Sequence, residues 1–94
     1  MESAVDAARL QEEALRRELE AQLEQAKTRV AEARAKLADA ERILAEAELF
    51  GGPLEVGTAR AERNLALLAV NKAYQEVADV HFRIAQLHAS GRLR

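Results

Sequence analysis

A chain of 94 residues is one small domain at most, and without a single Cys it has neither a disulfide framework nor a thiolate site. Its net charge of −2 comes from interleaved acidic and basic residues rather than a basic stripe, which argues against nucleic-acid binding. Few aromatics, many charges and abundant Ala match the composition of long helices and coiled coils.

The N-terminal Met1 to Asp6 is acidic and has no apolar core, so it does not read as a secretory signal. The compartment stays open: cytoplasmic for a full-length protein, periplasmic for a piece of an exported one. No apolar run approaches the roughly 20 residues that span a bilayer, so no membrane insertion is expected.

The first predicted helix covers residues 3–50, with Ser3 as N-cap and Asp6 completing a capping-box-like pair. It contains no Gly or Pro and consists almost entirely of good helix formers. Leu23, Val30, Leu37 and Leu44 form one seven-residue row; Ala26, Ala33, Ala40 and Ala47 form its neighbour. Rows of this kind make the seam of a coiled coil. Glu12–Arg16, Glu13–Arg17 and Glu32–Lys36 are expected as i,i+4 ion pairs.

A turn over residues 51–57 follows. Gly51 and Gly52 tolerate left-handed backbone at a helix end, and Pro53 cannot continue the ladder. The second helix can open at Pro53 or with Thr58 as N-cap; the expectation is residues 58–89, followed by Gly91 and a loose tail over 90–94. Its rows are Val70, Val77 and Ile84; then Leu67, Tyr74, His81 and His88; then Ala59, Ala66, Ala73, Val80 and Leu87. Three rows make a wider stripe than one partner helix needs.

The short turn makes the helices antiparallel. With its centre near Pro53, facing residue numbers sum to about 107. Leu37 is then expected to meet Val70, Val30 to meet Val77, and Leu23 to meet Ile84. The Ala row is expected to meet Leu67, Tyr74 and His81. The start of the first helix, to about Arg17, is left without an intrachain partner. Its apolar line and the residues off the seam give a candidate interface: Leu15, Leu19, Leu65, Leu68, Val80, Phe82 and Leu87. Leu49, Phe50, Leu54 and Val56 form the hairpin tip.

Chemistry-bearing residues are sparse. His81 and His88 lie two turns apart, roughly 10 Å along the axis, which is too far to share one metal within a chain. They read first as interface or rim histidines, with a metal bridged between subunits, or a pH response, as the alternative. Asp79 and Arg83 are expected to form a surface pair. Ser and Thr have no His placed to activate them, and Gly51-Gly52 lacks the Lys of a phosphate loop. No enzyme activity and no cofactor are expected.

The stretch from Ala40 to Gly91 resembles a known group. The helix Ala40 to Phe50 ending in Gly51-Gly52, then Leu54-Glu55-Val56 and an Ala/Leu-rich helix through Tyr74 to Leu87, is similar to the coiled-coil hairpins of bacterial tripartite efflux proteins, the TolC-type outer-membrane factors and their periplasmic adaptors. The resemblance implies lateral packing of hairpins or docking through their tips. The fold expected is all-α: a long antiparallel two-helix coiled-coil hairpin that completes a four-helix bundle by dimerisation. The function expected is a protein-protein interaction module that self-associates or docks on partner helices as scaffold or adaptor. The alternatives are an efflux hairpin module and a metal- or pH-responsive bundle.

Overall fold

A computed structural model of the chain describes residues 4–90. Two helices account for nearly all of them: α1, Ala4–Phe50, and α2, Pro53–Ala89. They pack side by side as an antiparallel all-α hairpin. Its extents are 75 × 19 × 14 Å, and its radius of gyration is 21.1 Å. A compact chain of this length would have a radius near about 12 Å. The length is that of α1 itself, roughly 70 Å at about 1.5 Å per residue.

The turn is tighter than expected, because α2 begins at Pro53 rather than Thr58 and residues 53–57 are helical. Local chemistry explains this. Pro53 at the first helical position has its φ preset and lacks an N–H that would have no partner there. Gly52 is extended, with φ −89° and ψ −179°, and its N–H donates to Glu55 Oε2 at 2.8 Å. The Val56 N–H then donates to the Gly52 carbonyl at 3.1 Å, closing the first turn.

Gly51 has a different role from the one expected. Its backbone is not left-handed. Its N–H donates to the Ala47 carbonyl at 2.8 Å, and a Cβ there would lie 2.9 Å from that oxygen. Glycine is needed for close approach. At the far end, the Ser90 N–H donates to the Gln86 carbonyl at 3.0 Å and its hydroxyl to the Leu87 carbonyl at 2.8 Å. The expected cap Ser3, Gly91 and the end of the tail lie outside the described residues.

Among the described residues, all nine that are buried are apolar. On α1 they are Leu19, Ala26, Val30 and Leu44; on α2 they are Ala59, Val70, Ala73, Val80 and Leu87. Leu23, Leu37, Val77 and Ile84 are half-buried beside them. The row Ala59, Ala66, Ala73, Val80, Leu87 therefore faces α1, and the row Leu67, Tyr74, His81, His88 is exposed. This corrects the pairing expected for the Ala row: Ala26 shares a groove with Val80, Ala47 with Ala59, and Leu19 with Leu87. The physical reason is size rather than spacing. The Leu67 row and the Ala59 row both alternate with the Val70 row by three and four residues, and the small side chains of the Ala59 row let the helices approach closely.

Leu19, Val80 and Leu87, expected at a partner interface, are buried in this seam. Two cross-helix contacts flank it: Arg29 Nη1 donates to Glu76 Oε2 at 3.2 Å, and Arg83 Nη1 to Gln22 Oε1 at 3.5 Å. Both pairs of numbers sum to 105, close to the expected register.

Candidate interaction surfaces

The hairpin offers three apolar surfaces outside the seam. The first is the tip. Leu49, Phe50 and Leu54 are the most exposed large apolar residues, at 75, 87 and 80%. Val56 is half-buried. Beside the tip, Ile43, Ala47, Leu54 and Ala59 line an apolar groove of about 350 Å³, with Glu55, Thr58 and Glu62 at its rim. The single turn at Gly51-Gly52 brings both helix ends together here, so the apolar ends of α1 and α2 fall on one surface.

The second is the outer face of α2, where Leu65, Leu68 and Phe82 are exposed at 67, 63 and 63%. Leu67 and Tyr74 are exposed beside them. Sequence reasoning assigned Leu67 and Tyr74 to the seam, whereas they are exposed on its flank. The two helices differ in charge: 19 of the 47 residues of α1 are charged, against 8 of the 37 in α2. The stretch Asn64 to Asn71 carries no charge on any side.

The third is the start of α1, which projects past the end of α2. Val5 and Leu10 are exposed, and Leu15 lies at the edge of exposure. Leu15 and Leu19 line a groove with Arg83, Gln86, Leu87 and Ser90, so the part of α1 without an α2 neighbour is shorter than the sequence suggested.

Polar groups are arranged along the surface. Arg42 is held between Asp39 at 2.6 Å and Glu46 at 2.9 Å. Its hydrogen bond to Asp39, then that to Glu46 and their charges, raise its pKa. Arg16 pairs with Glu20 at 3.9 Å and Lys27 with Glu24 at 3.6 Å. The expected pairs Glu12–Arg16, Glu13–Arg17 and Glu32–Lys36 are not among the ion pairs of the described residues. Arg83 turns to Gln22 across the seam rather than to Asp79. His81 and His88 are exposed. Among the described residues no three His, Asp or Glu side chains gather to hold a metal ion. No helix among them is long and apolar enough to cross a membrane.

Comparison of the chain with family models, with curated proteins and with solved structures finds no match. The surfaces themselves therefore carry the functional reading.

Proposed function

We propose that this hairpin is a non-catalytic protein-protein interaction module that self-associates as a coiled-coil assembly, with a dimer as the favoured state and a scaffold or adaptor role. One observation carries the reading. Among the described residues twelve large apolar side chains are exposed, whereas nine residues are buried, three of them only Ala. A hairpin with a seam this thin leaves apolar surface that only a partner can bury, at about 25 cal/mol per Å². Sedimentation equilibrium across about a hundredfold range of concentration tests it. The expected result is a mass rising from that of one chain, 10.4 kDa, to twice that value. A single-chain mass throughout contradicts it.

The tip supports a second reading, a hairpin module of an efflux-type transport assembly that docks end-on with partner helices. Leu49, Phe50 and Leu54 are exposed together at the turn, where the side-by-side contact of α1 and α2 cannot cover them. Leu49→Ser combined with Phe50→Ser should abolish binding to such helices and leave self-association intact. Binding that survives both changes removes this reading.

A further inference from the structure

We infer that the second copy docks on the outer face of α2, with the α2 helices antiparallel and a twofold axis passing beside Leu68. The inference rests on the self-association proposed above and specifies its surface.

The argument begins with one row. The buried rows of α2 run through Val70 and through Ala73, and the positions farthest from both are 54, 61, 68, 75 and 82. These are Leu54, Ala61, Leu68, Gln75 and Phe82, all exposed and pointing away from α1. Leu68 is the middle of the five. A twofold axis there maps the row onto itself: Leu68 meets its own copy, Leu54 meets Phe82, and Ala61 meets Gln75. A closed dimer requires this self-complementarity of one patch.

The flanking positions agree with the same axis. On one side, Leu65 falls level with Lys72 of the other copy, whose aliphatic stem can cover it while the ammonium reaches water. Thr58 falls level with Asp79, a donor facing an acceptor. On the other side, Asn64 falls level with Asn71, two amides that can exchange hydrogen bonds. No like charges oppose each other at these positions.

The area is sufficient. With about 200 Å² for a fully exposed large residue, the exposed fractions of Leu54, Leu65, Leu68 and Phe82 amount to about 550 Å², and Ala61, Lys72, Gln75, Asn64 and Asn71 on the same face add to it. Each partner in a standard stable interface contributes roughly 800 Å². The outer face of α1 offers no comparable surface, being formed largely by Ala and charged residues. The assembly is then four helices in the order α1, α2, α2, α1.

The test uses the full chain with two substitutions at the axis. Leu68→Cys should give a covalent dimer under mild oxidation, because helices in contact at this position bring the two Cα atoms within disulfide reach. Ala35→Cys, on the exposed far side of α1, should cross-link at least tenfold more slowly. Leu68→Glu should leave the helical signal intact, since Leu68 makes little of the seam, and should convert the dimer to single chains at concentrations where the unsubstituted protein is dimeric. A dimer that tolerates Leu68→Glu, or equal cross-linking at both Cys positions, overturns this face while leaving self-association standing. A single-chain mass for the unsubstituted protein at every concentration overturns both.

Discussion

Three glycines of this chain meet three different surroundings, and each predicts its own response to alanine. At Gly51 the new Cβ would press on the Ala47 carbonyl oxygen, which belongs to the backbone and cannot swing away. Gly51→Ala should destabilise the hairpin by about 1–3 kcal/mol in a denaturant titration. At Gly52 the atom in the way is Glu55 Oε2, the end of a flexible side chain. Gly52→Ala should cost less, through the disturbed cap alone. At Gly57 a Cβ meets nothing within 4 Å, and the residue lies inside α2. Gly57→Ala should therefore stabilise the folded chain by about 0.5–1 kcal/mol. Equal effects at Gly51 and Gly57 would show that the turn is not closed as described. The Arg29–Glu76 pair is largely solvent-exposed, so a double-mutant cycle should return at most about 1 kcal/mol of coupling.

At the scale of the elements, stability resides in one seam, and its two sides tolerate different changes. Leu44→Ala opens a gap among buried apolar groups and should cost about 2–5 kcal/mol. Ala26 is 1% exposed, so Ala26→Leu should also destabilise, by about 1–3 kcal/mol, because the added carbons have no space. Loss of stability from the first change alone would mean that α1 and α2 do not approach closely at Ala26. Much of this hairpin was legible from residue patterns. Leu23 through Leu44 and Val70 through Ile84 mark the two helix faces by spacing, and Gly51-Gly52-Pro53 marks the turn. The helix start at Pro53 was less legible, since it depends on Glu55 reaching back to the Gly52 N–H, a contact that spacing suggests only weakly. The rotation of α2 was least legible. Three of its rows are apolar, so Leu67 and Tyr74 compete with Ala66 and Ala73 for the seam. Ala wins because small side chains let the helices approach, and the bulkier residues are left outside. The same ambiguity concealed the interface residues: Leu19, Val80 and Leu87 resemble Leu65, Leu68 and Phe82 in type and differ only in the side of the helix they occupy.

At the scale of the whole molecule, the hairpin is two helices wide and has no second layer to cover α2. Its exposed apolar residues concentrate on the helix with the fewer charges and at the turn. Folding and association are then linked, since a partner that binds only the folded hairpin stabilises it by mass action. The most direct measurement is the midpoint of thermal unfolding, followed by circular dichroism, as a function of protein concentration. The account predicts a rise of about 3–5 °C for each tenfold increase in concentration across the range where dimers form. A midpoint that stays constant from dilute to concentrated solution, with a cooperative transition throughout, would contradict it and show that the two helices are stable by themselves.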